Sequence, residues 1–132
     1  MTSKTPASTG TPLLNLDTHI LVYALTGELS KREREVLSGD EWSISAIVFW
    51  ELAKLAQLNR IEMDLSSPEV VRTLTALRSW PLDLAVSVQS TKLDFSGDPA
   101  DEIIAATSVV NGLPLLTRDK RIRRSRMVPL AH

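Results

Sequence analysis

The order of predicted elements indicates an α/β protein with three layers, in which helices cover both faces of a central, mostly parallel sheet. Short apolar runs at residues 12–16, 42–44 and 113–116 are typical of strands buried on both faces, and longer helical patterns separate them. Such alternation implies crossover connections, which collect the carboxyl ends of parallel strands along one rim. Because ligands of open α/β sheets bind at that rim, a functional site is expected there.

Start and stop signals define the helices between these strands. Helices are predicted over residues 18–25, 31–37, 46–58, 86–91 and 99–111, with another beginning at residues 67–68. Helix 99–111 is the best marked, since Asp98 and Pro99 suit its start and Gly112 its end. Weaker strands are predicted at residues 81–84 and 127–130, and a short basic helix after residue 119. Residues 1–11 are rich in Thr, Ser, Pro and Gly, so a disordered tail is expected, and residues 12–132 form one domain.

The composition is that of an ordinary globular domain, with 43% hydrophobic and 23% charged residues. No apolar run reaches the ~18 residues that span a membrane, and no signal-peptide pattern is present, so a cytoplasmic protein is expected. The lack of Cys excludes disulfides and thiolate metal sites. Although the net charge is only −1, residues 118–126 contain six basic residues and one acid. That segment suits a polyanion such as nucleic acid, although a solvated basic helix has the same pattern.

Three acidic residues lie at strand ends or in a helix start, and all three are expected near the same rim. Asp17 ends the first strand, Asp101 lies in the first turn of helix 99–111, and Asp119 follows strand 113–116. Each has a simpler explanation, because carboxylates at helix starts accept hydrogen bonds from free amides and suit the helix dipole. For each acid taken singly, the sequence does not decide between helix capping and a role in a functional site.

Glu51 is the one acid on an otherwise apolar stripe of helix 46–58. The stripe advances in steps of four and three residues and consists of Ile44, Val48, Glu51, Leu55 and Leu58. A carboxylate on a buried stripe has to be protonated, paired or bound to a cation, because burying it bare is very costly. A salt bridge to an arginine and a metal ion are the alternatives that this pattern leaves open.

Four carboxylates from separate segments are thus expected at one rim. Carboxylates this close repel one another by on the order of a few kcal/mol per pair, so we expect a cation among them. Oxygen ligands without His or Cys favour Mg²⁺ or Mn²⁺. Such a metal activates water and stabilises charge on a phosphodiester, so we predict hydrolysis of a nucleic-acid backbone that leaves 3′-hydroxyl and 5′-phosphate ends.

Four segments carry a resemblance to a known family, namely LNLDTHILVYAL, SISAIVFWELAKL, DPADEIIAATS and LPLLTRD. In this order and spacing they resemble the PIN-domain ribonucleases, especially the VapC-type toxins of bacterial toxin–antitoxin pairs, over about residues 12–130. The resemblance implies a PIN-like fold and an endoribonuclease that needs Mg²⁺ or Mn²⁺ and acts on RNA. It also implies a cognate antitoxin that blocks the site and, commonly, a homodimer. One departure is Glu102, where the family usually has Arg, and which could add a carboxylate near the site.

The resemblance carries over residue by residue. The four metal-binding catalytic acids of the family match Asp17, Glu51, Asp101 and Asp119. Thr117 matches a polar residue that supports the site. Similar supporting parts are expected from Thr18 and Ser45, which are also expected to cap helices. From their charge, contacts to flanking RNA phosphates are expected from Arg118, Lys120 and Arg121.

The alternative function is a non-catalytic α/β module that binds RNA or protein through the basic segment 118–126, with its acids serving only as helix caps. We expect Asp98 to be such a cap, and His19 to be packed or exposed rather than catalytic. Aromatic side chains that could stack on RNA bases are instead expected to pack in the core or in a dimer interface. They are Trp42, Trp50 and Trp80.

Overall fold

The computed structural model describes residues 13–132 and has a four-stranded parallel sheet flanked by helices. The strands are β1 (Leu13–Leu16), β2 (Glu41–Ser45), β3 (Arg78–Trp80) and β4 (Leu115–Leu116). Their order across the sheet is β3-β2-β1-β4, and every pairing is parallel. The predicted α/β architecture is confirmed. The tail predicted at residues 1–11, and Pro12 at the start of the first predicted strand, lie outside the described residues.

In this part of the chain, seven helices connect and follow the strands. They are α1 (Thr18–Thr26), α2 (Lys31–Ser38), α3 (Ile47–Gln57), α4 (Pro68–Thr75), α5 (Leu84–Gln89), α6 (Pro99–Asn111) and α7 (Lys120–Arg123). A reciprocal capping box between Ser30 and Glu33 starts α2. Gly112 ends α6 with a φ of 65°, a left-handed conformation that glycine adopts without steric cost. No helix among the described residues is long and apolar enough to cross a membrane.

The strand order brings distant segments to one rim. The chain passes from β1 to β2 to β3 and then returns to place β4 on the free side of β1. Because all four strands run in the same direction, their carboxyl ends lie along one edge. At that edge the backbone N–H of Asp17 donates to the carbonyl of Leu116 at 3.1 Å. The residues that follow β1 and β4 are therefore neighbours.

A buried polar side chain attaches α6 to the central strand. Asn15, which is fully buried on β1, donates its amide to the carbonyl of Ile104 at 3.1 Å and to Ser108 Oγ at 2.9 Å. Apolar side chains surround this contact and form the core. The largest of them on the sheet are Leu14, Leu16, Ile44 and Leu115. The helix that carries Asp101 is thus fixed against the strand that ends at Asp17.

Proline residues shorten or replace the strands predicted late in the chain. Residues 81–84 are not a strand, because β3 ends before Pro81 and Asp83 caps α5 by accepting a hydrogen bond from the Val86 N–H at 2.9 Å. The predicted strand 113–116 is reduced to β4, since Pro114 has no amide to donate. The predicted edge strand 127–130 is reduced to a single bridge between Leu130 and Leu115.

The apolar stripe predicted on helix 46–58 is wrong at both of its ends. Ile44 belongs to β2, and Leu58 lies beyond α3 with 58% of its surface exposed. The buried side chains of α3 are Val48, which belongs to the predicted stripe, and Leu52, which does not. Glu51 is half-buried beside that face, so its position at the rim follows from the fold and not from the stripe.

The three tryptophans differ in their surroundings. The indole N–H of Trp42 donates to the carbonyl of Leu37 at 3.0 Å, and that of Trp80 donates to Ser43 Oγ at 2.8 Å. Both side chains are half-buried, as is usual for an amphipathic ring. Trp50 is 55% exposed, so the expectation of core packing is wrong for this residue. A dimer contact by Trp50 stays a prediction.

Leu16→Ala should test how much the central strand contributes to stability. Leu16 is fully buried directly before Asp17, so we expect the free energy of unfolding to fall by about 2–5 kcal/mol in urea denaturation. Leu58→Ala makes the same change at an exposed position and should cost less than about 0.5 kcal/mol. Equal losses from the two substitutions would contradict the placement of Leu16 in the core.

Candidate active site

A cavity of about 290 Å³ lies at the carboxyl edge of the sheet and is lined by five carboxylates. They are Asp17, Glu51, Asp98, Asp101 and Asp119. The structure thus brings together all four acids that the sequence predicts as site residues, and it adds Asp98. We refer to this space as the acidic cavity.

Asp17 is held by a hydroxyl group and not by a helix cap. It occupies the N-cap position of α1, yet its side chain makes no capping hydrogen bond. Thr117 Oγ1 donates to Asp17 Oδ2 at 2.5 Å and accepts a hydrogen bond from the Asp119 N–H at 3.0 Å. Burial raises the pKa of Asp17, and the hydrogen bond from Thr117 opposes that rise. The capping explanation for Asp17 is therefore wrong, and one hydroxyl links the first and last acids.

Glu51 is likewise oriented by a threonine. Thr18, the first residue of α1, donates a hydrogen bond from Oγ1 to Glu51 Oε1. Over residues 13–132 the two arginine–carboxylate ion pairs involve Glu33 and Asp119, and neither involves Glu51. The salt bridge that the sequence left open for Glu51 is not formed in this range. Its carboxylate faces the acidic cavity instead.

Asp98 is the site residue that sequence reasoning missed. It occupies the N-cap position of α6, but its side chain makes no capping hydrogen bond, so the expected cap is wrong. Its carboxylate lines the acidic cavity. A usable signal was present, because Asp98 and Asp101 are three residues apart at a helix start and therefore lie on the same side.

The charge on Asp101 reports how closely the acids converge. Its carboxyl group has its pKa raised to about 7, chiefly by burial and then by the negative charges of the other four acids. Of these four acids, Asp98 precedes the same helix as Asp101, and the other three come from separate segments of the chain. A capping role, which would favour the ionised form, does not account for this shift.

Asp119 combines a structural role with its place in the cavity. Its Oδ1 caps α7 by accepting hydrogen bonds from the N–H groups of Arg121 at 2.8 Å and Ile122 at 3.2 Å. Oδ2 makes a longer contact of 3.8 Å with Arg121 Nη2. The capping explanation is correct for one oxygen of Asp119 and leaves the other for the cavity.

Ser45 and Glu102 do not reach the acidic cavity. Ser45 is the buried last residue of β2, and the N-cap of α3 is Ala46, so the predicted cap is wrong. Ser45 Oγ accepts only a long hydrogen bond, 3.4 Å, from the Ile47 N–H, and the described contacts give it no bond to any of the acids. Glu102 turns back to accept a hydrogen bond from the Gly97 N–H at 3.3 Å. The additional carboxylate at the site is Asp98 and not Glu102.

Arg118 forms one wall of the acidic cavity, and its charge is already paired. Its Nε and Nη2 atoms each donate to a different oxygen of Glu33 at 2.7 Å, and its guanidinium lies 4.1 Å from the centre of the Tyr23 ring. Arg121 donates to the carbonyl of Ser96 at 3.0 Å. Two of the three predicted phosphate contacts therefore have partners within the protein.

The donor set of the cavity fits a hard divalent cation. Carboxylate oxygens are the preferred ligands of Mg²⁺ and Mn²⁺, and the two threonine hydroxyls orient two of the carboxylates. Among residues 13–132, no group of three acidic or histidine side chains is close enough together to bind a metal ion in its present conformation. The fit rests on the chemistry of the donors and on the raised pKa of Asp101, which is caused by burial and then by the neighbouring negative charges.

Comparisons with known proteins agree with the fold. The PIN domain family matches residues 15–126 of the chain. Ribonuclease VapC22 of Mycobacterium tuberculosis is 32% identical over 117 residues, which cover 84% of this chain and 90% of that protein.

Solved structures show the same fold at lower identity. The crystal structure of FitAcB from Neisseria gonorrhoeae has a TM-score of 0.68 at 20% identity, and the match covers 90% of this chain and 96% of that one. VapBC2 from Rickettsia felis, bound to a DNA fragment from their promoter, has a TM-score of 0.67 at 18% identity and covers 89% and 96%. The chain therefore belongs to the PIN-domain family of metal-dependent nucleases and is a homologue of the VapC ribonucleases.

Proposed function

We propose that this protein is a metal-dependent endoribonuclease with the acidic cavity as its active site, and that it is the toxin of a toxin–antitoxin pair. The observation that supports the site most directly is the convergence of five carboxylates, which come from four separate segments of the chain. The relative at 32% identity is a ribonuclease, which supports RNA as the substrate. An RNA substrate also agrees with the expected cytoplasmic location.

The metal that fits these donors best is Mg²⁺ or Mn²⁺. The residues that would hold it are Asp17, Glu51, Asp101 and Asp119, with Asp98 at the margin of the same cavity. When bound, such a cation supplies an activated water and stabilises the charge that builds up on the phosphodiester. It would also relieve the repulsion among the carboxylates.

The protein's own residues keep these donors in place. Thr117 fixes Asp17 Oδ2, so the orientation of that carboxylate is set before substrate binds. Thr18 does the same for Glu51 from the start of α1. Because both threonines are buried, the orientation does not depend on mobile surface groups.

The proposed partners are a cognate antitoxin and a second copy of the chain. The structural neighbours include VapBC2 and a toxin–antitoxin complex from Klebsiella pneumoniae, which supports an antitoxin partner. Exposed apolar side chains around α5 support self-association, since a homodimer would bury them. They are Leu82, Leu84 and Val88.

The alternative, a non-catalytic module with acids acting only as caps, is not favoured. Two of the five acids sit at N-cap positions without making a capping hydrogen bond, namely Asp17 and Asp98. The Asp17 carboxylate is buried as well, so a capping role does not offset the cost of its burial beside like charges. The alternative remains the outcome to be excluded by experiment.

Asp17→Asn should abolish RNA cleavage. We expect the purified wild-type protein to cleave a structured RNA with Mg²⁺ or Mn²⁺ and not with EDTA, and the variant to be inactive with either metal, because Asn lacks the charge that a metal ligand supplies. Glu35→Gln removes a charge from an exposed position on α2 and serves as the control with full activity. Gel analysis of labelled RNA, including its 3′ and 5′ ends, measures both. Full activity of Asp17→Asn would favour the non-catalytic module.

Thr117→Val should weaken the site without removing an acid. The variant keeps the side-chain shape but loses the hydrogen bonds to Asp17 and from the Asp119 N–H, so we expect a roughly 10–100-fold loss of activity or metal affinity. The readout is the Mn²⁺ concentration that gives half-maximal cleavage. Thr75→Val, on the exposed surface of α4, should leave this concentration unchanged. An unchanged value for Thr117→Val would show that the hydroxyl does not support the site.

The raised pKa of Asp101 predicts a loss of stability with rising pH in EDTA. An acid whose pKa is about 7 in the folded state and 3.8 when unfolded stabilises the fold at low pH, and this contribution is lost as pH rises through the higher value. Glu33, with its pKa lowered to about 2, acts in the opposite sense only below its ordinary value of 4.5. From about pH 5 to about pH 7.5 the free energy of unfolding should therefore fall, and it should fall less in Asp101→Asn.

Urea denaturation at each pH provides this measurement. Glu35→Gln serves again as the control, because an exposed carboxyl away from the cavity should not change the slope. Added Mg²⁺ should flatten the dependence of the unfolding free energy on pH in the wild-type protein. The reason is that Mg²⁺ binds the ionised carboxylates of the folded state and therefore stabilises it more at the higher pH. Equal slopes for wild type and Asp101→Asn would contradict the proposed repulsion among the acids.

A further inference from the structure

A second cavity adjoins the acidic cavity, and basic side chains dominate its lining. It has a volume of about 330 Å³ and lies between α2 and α7, next to the end of β4. The basic side chains that line it are Arg32, Arg118, Lys120 and Arg123. Arg118 lines both spaces and forms the wall between them. We refer to the second space as the basic cavity.

Three of the four cationic side chains keep their charge available. Glu33 is the only acidic side chain that residues 13–132 contribute to the lining, and Arg118 neutralises it through two hydrogen bonds of 2.7 Å. Arg123 donates to the carbonyl of Thr117 at 3.3 Å, a contact that leaves its charge uncompensated. Arg32 and Lys120 are exposed and form no ion pair or side-chain hydrogen bond with the rest of residues 13–132. The concave lining therefore has an excess of three positive side chains.

We propose that the basic cavity binds a phosphate group of the RNA strand that flanks the scissile phosphate. This inference rests on the proposed nuclease function. An RNA strand has a phosphate at every nucleotide, so a strand whose scissile phosphate lies in the acidic cavity has to pass its next phosphates along the adjoining surface. Thr117 and Arg118 connect the two spaces, because both line the basic cavity while Thr117 bonds Asp17 and Arg118 lines the acidic cavity.

The size and chemistry of the basic cavity suit this occupant. Its volume lies at the lower end of the range of about 300–1,000 Å³ that small-ligand sites span, so it has room for one nucleotide unit. Arginine and lysine side chains are the usual phosphate-binding groups in proteins. An acidic protein segment would offer the same charge, and binding of such a segment is the alternative that the test below has to exclude.

The test is a pair of double variants that remove the same charge from the same two elements. Arg32→Gln with Lys120→Gln changes the basic cavity. Lys31→Gln with Arg124→Gln is the matched control, since these residues lie on α2 and at the end of α7 but do not line the cavity. All four side chains are exposed, so both variants should fold, which thermal denaturation verifies.

Binding of a labelled single-stranded RNA is measured in the Asp17→Asn background, in which cleavage is prevented. At about 50 mM salt we expect the cavity variant to raise Kd about tenfold, and its salt slope to fall by about 0.7, because the contact with one phosphate is lost. The control should raise Kd by less than about threefold, with little change in slope.

With the acids intact, cleavage by the cavity variant should have a raised KM and a nearly unchanged kcat, as for a group that binds substrate and transition state alike.

The outcomes separate this inference from the nuclease assignment. If the protein cleaves RNA and the cavity variant matches the control in Kd, slope and KM, the cavity does not bind RNA phosphate and the inference is overturned. If the cavity variant loses antitoxin binding but keeps its RNA binding, the basic cavity binds a protein partner, and the inference is likewise overturned. If the unsubstituted protein cleaves no RNA with either metal, the nuclease function fails, and the inference fails with it.

Discussion

Repulsion among like charges is the constraint that the rest of this structure has to satisfy. Five carboxylates face one cavity, and one of them, Asp17, is almost fully buried. Burial and mutual repulsion both favour protonation, as the raised pKa of Asp101 shows. A flexible scaffold would relax by moving the groups apart. Here each acid is attached to a rigid element, and the central elements are fixed by the amide of buried Asn15 between β1 and α6.

Two neutral hydroxyl groups donate hydrogen bonds to the carboxylates and leave the negative charge of the cavity unchanged. An arginine or lysine paired with Asp17 or Glu51 would stabilise the fold but would also compete with any cation. Thr117 and Thr18 donate hydrogen bonds and add no charge, so the cavity stays negative. Arg118, the arginine that lines the cavity, is directed to Glu33. Stability and metal affinity are therefore not in direct conflict at this site.

The sequence predicted much of the fold and most of the site because strand ends follow general rules. Asp17 and Asp119 could be placed at one rim from the alternation of strands and helices alone. Glu51 was identified from a stripe that is wrong at both ends, since Ile44 belongs to a strand and Leu58 lies beyond α3. The useful signal was that Glu51 is a charged residue among apolar ones, and not the spacing of the stripe.

Other features depend on side-chain directions that a sequence does not specify. An Asp at an N-cap can turn to the helix amides or away from them, and the two states differ by only ~1 kcal/mol. Asp98 was missed for that reason, and Ser45 was expected to cap a helix whose N-cap is the next residue. The basic cavity also could not be predicted, because it combines Arg32 on α2 with residues that follow β4.

The shortness of β4 gives the end of the described chain a role in catalytic geometry. With only two residues, β4 has too few bonds to β1 to define its own alignment. On its other side, the Leu115 N–H donates to the carbonyl of Pro129 and the Leu115 carbonyl accepts from the Ala131 N–H, each at 2.9 Å. A slip of one residue would turn Thr117 to the opposite side of the sheet. The pairing of residues 129–131 with β4 thus keeps the Thr117 hydroxyl oriented toward the Asp17 carboxylate.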